Sequence, residues 1–196
     1  MKVFYMNQGG GGHWGAVAYS EFSLLLIAEA SGPEHFRVKS GFEEIYTGKC
    51  LPEMSIQGKP GRLINSVRDL DTLYAEVRPM VRFQLTGYSV TVVFVHLKSG
   101  NEDYATKALQ TAISTLKKEQ GETSPVLWVG DFNRADIEIL GQELPKFNCH
   151  FKGGGASKWD LDYVITTGTW KRAIGINQVT KCATDHNHVG LSIEIE

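Results

Sequence analysis

The chain has 196 residues, 42% hydrophobic and 21% charged, and 20 Lys and Arg against 22 Asp and Glu give a formal net charge of -2. That length and composition describe one globular domain, 1–196, with a substantial core, and exclude both a disordered chain and a polycation that coats nucleic acid by bulk charge. Cys50, Cys149 and Cys182 are odd in number and far apart, which argues against a disulfide framework and a Cys-x-x-Cys zinc site and leaves one disulfide plus a free thiol open.

In chain order, residues 2–6 read as a first strand, and Asn7-Gln8 and the four glycines 9–12 follow. That glycine run lacks the Lys-Ser or Lys-Thr of a Walker loop and reads as a flexible loop. A short helix is expected over 14–21, then an apolar strand over 23–28 ending at Glu29. Weaker strands are expected at 36–39 and 43–47. Pro52, Gly58, Pro60 and Gly61 make 48–65 read as the longest irregular segment. Residues 81–85 and 89–95 form a hairpin across Thr86-Gly87-Tyr88, and the second strand ends in His96.

The clearest helix covers 104–118, where Ala105, Ala108, Leu109, Ala112 and Leu116 recur at three- and four-residue spacing. The apolar run 126–129 is a fully buried strand, stopped by Gly130-Asp131-Phe132-Asn133. A short helix near 135–140, a loop at 153–155, a strand at 161–165, a strand at 172–179 pairing with it, and a last strand at 189–195 complete the chain. No run approaches the roughly 18 apolar residues of a membrane span. The start carries no signal-peptide pattern, so a cytoplasmic protein is expected, or one exported by a route without a visible signal.

Asp131 and Asn133 are spaced i, i+2, so both point to one side of an extended backbone while Phe132 turns into the core. A carboxylate and a carboxamide together can hold a water or a metal-bound phosphate oxygen, one accepting and one donating. An Asx turn closing the strand would explain this motif alone. It does not explain why Asn7, Glu29, His96, Asp162, Asp185 and His186 also stand where strands end.

In this order, Asn7-Gln8, Glu29, Val95-His96-Leu97-Lys98-Ser99, Gly130-Asp131-Phe132-Asn133, Leu161-Asp162-Tyr163 and Thr184-Asp185-His186 resemble the endonuclease/exonuclease/phosphatase, or deoxyribonuclease-I-like, superfamily. Arg78-Pro79 and Trp14 look most like the active subunit of cytolethal distending toxin. The resemblance implies an α+β fold, a four-layer α/β/β/α sandwich of two mixed sheets, each covered by helices, with the site at one end. It implies that Asn7, Glu29 and Asp185 hold a divalent metal, Mg²⁺ or Mn²⁺, which hard oxygen ligands suit better than zinc.

It further implies that Asp131 and Asn133 place the attacking water and scissile phosphate, that Asp162 orients His186, and that His96 is the second histidine. Which histidine is acid and which base stays open. The chain departs from the family pattern at Ala28, where Gln usually precedes the metal Glu, and the loop carboxylate expected beside His96 has only Glu53 as a candidate. Arg62, Arg78, Lys98 and Asn101 are candidates for substrate phosphates, and Lys59, Arg68 and Arg82 extend a series that could track a backbone.

The function expected is Mg²⁺-dependent hydrolysis of DNA by an activated water, on double-stranded DNA without sequence preference. Two alternatives are a phosphomonoesterase acting on phosphoinositides or other small phosphate esters, and a catalytically inactive nucleic-acid-binding homologue.

Overall fold

The computed structural model describes residues 1–8, 17–30, 38–47, 53–60, 68–69, 80–85, 87–97, 100–154, 160–181 and 188–196. Its strands are β1 (Lys2–Asn7), β2 (Leu24–Ala30), β3 (Glu43–Thr47), β4 (Glu53–Gly58), β5 (Arg68–Asp69), β6 (Met80–Leu85), β7 (Val90–His96), β8 (Val126–Asp131), β9 (Asn148–Gly153), β10 (Asp162–Thr167), β11 (Ile174–Lys181) and β12 (Val189–Ile195). Its helices are α1 (Glu102–Gln120) and α2 (Glu138–Glu143).

The strands form two six-stranded sheets, ordered β11-β12-β1-β2-β4-β3 and β5-β6-β7-β8-β10-β9. Both are mixed: β1 runs parallel to β2, and β7 parallel to β8, within otherwise antiparallel neighbours. The C-terminal ends of the two parallel pairs meet at one pole, where Asn7 reaches Asp131 and Glu29 reaches His96. Inward residues of both sheets meet in one core, among them Val3, Leu24, Leu26, Val92, Phe94, Leu127, Val129, Val164 and Leu191.

The other face of the second sheet is covered by helix. Val93, Val95, Trp128 and Ile165 pack with Ala105, Leu109, Ala112 and Leu116 of α1 and with Ile139 and Leu140 of α2. Helix α1 forms here for local reasons as well. Asn101 accepts the Tyr104 N–H at 2.9 Å, Glu102 and Asp103 sit at the positive end, and Lys117 and Lys118 at the negative end. Gly121, at φ 82°, stops it. Truncating buried Leu109 to Ala would remove about 2–5 kcal/mol of stability.

On the outer face of the first sheet, Phe4, Met6, Leu25 and Ile27 are covered, among the described residues, by Phe22, Phe42, Val17 and Tyr19. The helix expected over 14–21 is there a single 3-10 turn, Tyr19–Glu21, and residues 14–16 lie outside the described set.

Three further expectations are corrected. The segment 48–65 contains β4, whose Met54 and Ile56 reach the inter-sheet core while Ser55 and Gln57 face the other way. Strand β11 does not pair with β10; it forms an antiparallel ladder with β12 in the other sheet, and β10 instead lies between β8 and β9. Residues 38–39 are not strand but lead into a turn. No described helix is long and apolar enough to cross a membrane.

Candidate active site

Side chains on a strand alternate between faces, so each inward apolar row predicts what stands at its end. On β1 the row Val3, Tyr5 continues to Asn7; on β7 Val92, Phe94 continues to His96; on β8 Leu127, Val129 continues to Asp131; on β10 Val164 is preceded by Asp162. His96 is the register partner of Asp131, and Asp131 of Asp162, so three neighbouring strands present one row of polar groups. The inter-sheet core thus turns polar at one pole, and Asn7, His96, Asp131 and Asp162 are all buried there.

Glu29 joins them through a bulge. Regular alternation after inward-facing Ala28 would send Glu29 to the outer face, but the β2–β4 register shifts between Ile27 and Ala30, and Glu29 takes φ 52°. A bulge with a residue in the left-handed region re-aims its side chain. Glu29 Oε1 lies 3.2 Å from His96 Nε2.

Asp131 is held from two directions. Asn7 Nδ2 donates to its Oδ2 at 2.8 Å across the gap between the sheets, and the Asn133 backbone N–H donates to its Oδ1 at 2.7 Å. Asn133 has φ 50°, a conformation asparagine tolerates better than most residues, and its Nδ2 donates to the Leu97 carbonyl. Gly130 precedes it at φ 144°, where any Cβ would strike the Val95 carbonyl. Only glycine lets β8 approach β7 this closely. Burial raises the Asp131 pKa from 3.8 to about 8, with the neighbouring Asp162 charge adding to it and the Asn133 N–H opposing.

Asp162 is bonded on both oxygens. Tyr5 donates its hydroxyl to Oδ1 at 2.6 Å, and His188 Nδ1 lies 2.6 Å from Oδ2. Burial alone would lower the His188 pKa, yet its hydrogen bond and charge pairing with Asp162, with Asp131 and Glu29 behind, raise it above 6.5. Gly154, at φ 71°, lies against this pair, and a Cβ there would collide with Asp162 Oδ2 and come within 3.1 Å of His188 Nδ1.

Solved structures share this architecture. Zebrafish (D. rerio) TDP2 complexed with a single strand DNA product superposes with a TM-score of 0.70 at 13% identity, covering 99% of this chain and 98% of that one. The Haemophilus ducreyi cytolethal distending toxin gives 0.65 at 17% identity, covering 100% and 98%. A functionally unknown conserved protein from Enterococcus faecalis V583 gives 0.70 at 14%, covering 100% and 99%. The chain has the deoxyribonuclease-I-like fold. No protein-family model matches the sequence, and no curated protein matches it.

Within this deoxyribonuclease-I-like frame, Asn7, Glu29, His96, Asp131 and Asp162 lie together; Asn133 is beside Asp131 through an Asx turn at φ 50°, not through the extended backbone expected, and its Nδ2 is given to the Leu97 carbonyl. Asp185, His186, Arg62, Arg78 and Lys98 lie outside the described residues. Asn101 is the cap of α1, with its Oδ1 engaged by that helix.

Two pairings are seen among the described residues. The imidazole on Asp162 is that of His188, while His186, expected there, lies outside the described residues. A carboxylate beside His96 is that of Glu29; Glu53, the candidate from sequence, has its backbone on β4 opposite Ala30.

Tyr5, Gly154 and His188 are the site residues the sequence reading missed. The signal for His188 was the His186-x-His188 spacing ahead of β12, since residues two apart share one side of an extended chain. For Tyr5 it was its place one step before Asn7 in the inward row of β1.

The donor set fits a divalent cation. Glu29, His96 and Asp131 each bring a ligand atom within 4.8 Å of the others, beside the Asn7 carboxamide. The raised Asp131 pKa marks a buried acid cluster short of positive charge, which a cation would supply.

Proposed function

We propose that this chain is a metal-dependent phosphodiesterase that hydrolyses the nucleic-acid backbone, with DNA as substrate and water as nucleophile. The observation that carries the reading is the single register row His96–Asp131–Asp162, met from the other sheet by Asn7, Glu29 and His188.

Phosphodiester hydrolysis needs a nucleophile freed of a proton, stabilised charge on the phosphate oxygens, and a proton for the leaving oxygen. Asp131, fixed by Asn7 and Asn133, is a buried carboxylate placed to take a proton from water once the ion has displaced its own. His188, raised above 6.5 and oriented by Asp162, can hold a proton for the leaving oxygen. Asn7 and Glu29 would hold Mg²⁺ or Mn²⁺ with Asp131 at its edge, and the ion would offset charge developing on the phosphate. Asp185 and His186 would complete the site from the segment leading into His188. The TDP2 structure with a single strand DNA product supports nucleic acid as the ligand class; duplex DNA and lack of sequence preference extend that proposal.

Supercoiled-plasmid nicking in Mg²⁺ and in Mn²⁺, beside EDTA, tests the reading. Conversion to open circle only with the ion, and its loss in a folded His188→Ala protein, is expected. A parent protein silent with both ions on plasmid and on single-stranded DNA overturns it, and phosphoinositide hydrolysis would then be assayed.

A further inference from the structure

The buried tyrosine of β1 sits where phenylalanine would pack equally well. Its ring lies in the inter-sheet core, 6.1 Å from the Phe94 ring in an edge contact, and Val3 precedes it in the same inward row. Ring burial therefore explains an aromatic at position 5 but not its hydroxyl. That hydroxyl ends 2.6 Å from Asp162 Oδ1, while His188 Nδ1 is 2.6 Å from Oδ2 of the same carboxylate.

We infer that Tyr5 is a positioning residue that fixes the orientation and tautomer of His188 through Asp162. The inference rests on reading this pole as the hydrolytic site.

The argument follows from what each group can do. A phenol donates through its O–H, so Asp162 Oδ1 accepts from Tyr5 at 2.6 Å. The carboxylate then turns Oδ2 to the imidazole, which must present Nδ1–H to it. Nε2 is left as the nitrogen that faces away from Asp162 and can exchange a proton.

Two elements make the device rigid. Tyr5 comes from β1, held between β12 and β2, and Gly154 closes the remaining side of the pair. Without the hydroxyl, Asp162 Oδ1 would lose its Tyr5 donor while buried, and the carboxylate would be free to turn. That turn loosens the His188 ring.

Tyr5→Phe is the test, read first by ¹⁵N and ¹H NMR of the His188 ring in EDTA, where no activity enters. The parent should show a downfield Nδ1–H proton and the Nδ1–H tautomer. In the folded variant that proton should move upfield or exchange with solvent. In nicking assays kcat should fall about 10-fold to 100-fold with KM within about twofold, the loss set by one hydrogen bond to a charged group.

An unchanged His188 spectrum in folded Tyr5→Phe overturns the inference, as does a rise in KM alone. If Tyr5→Phe does not fold, 3-fluorotyrosine incorporation keeps the ring and makes the phenol a stronger donor. The His188 proton must then shift, and its failure to do so also overturns the inference. A parent that nicks nothing but shows these spectral changes would refute the hydrolase reading and leave the positioning role standing.

Discussion

The two poles of the sandwich make opposite use of their polar groups. At the far pole, a cavity of about 610 Å³ is lined by Tyr88, Pro125, Trp170, Lys171, Arg172 and Glu196 among others. Its polar atoms are spent on holding the chain: the Arg172 guanidinium stacks 4.7 Å over Tyr88 and donates to the Glu196 carbonyl at 2.8 Å, and Trp170 Nε1 donates to the Thr167 carbonyl at 3.0 Å. At the acid pole, groups from five strands and the His188 approach converge on one another, and Asp131 and His188 are both shifted upward from their ordinary values. The cavity alone would draw attention to the far pole. Converging, perturbed groups point to the other, and they are the better guide to chemistry.

The sharpest way to break this contrast is Asp162→Asn. It keeps the size of the side chain but presents an amide where His188 and Tyr5 both need an acceptor. Nicking should fall by about 10²–10⁴, the range for loss of an oriented acid or base. A variant retaining more than a tenth of parental kcat would show that the pair only braces the fold.

Gly154→Ala reaches the same pair without touching a titratable group. The left-handed φ of 71° and the collision with Asp162 Oδ2 should lower stability by about 1–3 kcal/mol. Activity should fall further than stability explains, since the added methyl pushes on the carboxylate that orients His188. Activity lost only in proportion to unfolded protein, measured by circular dichroism, would reduce Gly154 to a turn residue.

How far the sequence carried this site depends on what each residue obeyed. Asn7, His96, Asp131 and Asp162 obey strand alternation and end rows whose apolar members are plain in the sequence. Glu29 ends a legible strand too, but only the bulge explains why it faces inward. His188 was missed because it stands two residues beyond His186, with the same parity, and the sequence alone does not separate them. Strand β4 was hidden because only Met54 and Ile56 face the core, between Pro52 and Gly58. Strand β11 was given the wrong partner because chain order favours β10, whereas Ile174 and Ile176 complete the core from beside β12.

The acid pole should also make stability fall as pH rises when no divalent ion is present. Asp131 has a folded pKa of about 8 against 3.8, so its contribution is fully present below about pH 4 and is lost progressively up to pH 8. His188 acts in the same direction: its folded pKa lies above 6.5, so its pairing with Asp162 stabilises fully below pH 6.5 and is lost as pH rises through the folded value. Thermal melts in EDTA should therefore decline from pH 5 to pH 9, and Asp131→Asn should flatten the part between pH 4 and 8. Mg²⁺ or Mn²⁺ should raise Tm more at pH 8 than at pH 6, because the ion competes with the proton on Asp131. A flat parental profile in EDTA would mean that the carboxylates are already compensated.

The smallest effect is expected at the far pole and tests the other half of the contrast. Arg172→Met keeps an unbranched stem over Tyr88 but loses the cation–π contact and the bonds to the Glu196 and Gly87 carbonyls. Arg172 is exposed, so these contacts are worth about 1 kcal/mol together, and Tm should drop by a few degrees. Nicking at saturating metal should stay within about twofold of the parent. The reason is mechanical: Arg172 ties the β6–β7 turn to the end of β12, whereas the acid pole is fixed by its own backbone bonds, Gln8 N–H to the Ala28 carbonyl, Leu97 N–H to the Asp131 carbonyl and Phe132 N–H to the Leu161 carbonyl. These sit at the opposite ends of the same strands. A loss of kcat in Arg172→Met without loss of fold would mean that strain travels the length of β7 and β12, and the two poles would have to be treated as one coupled device.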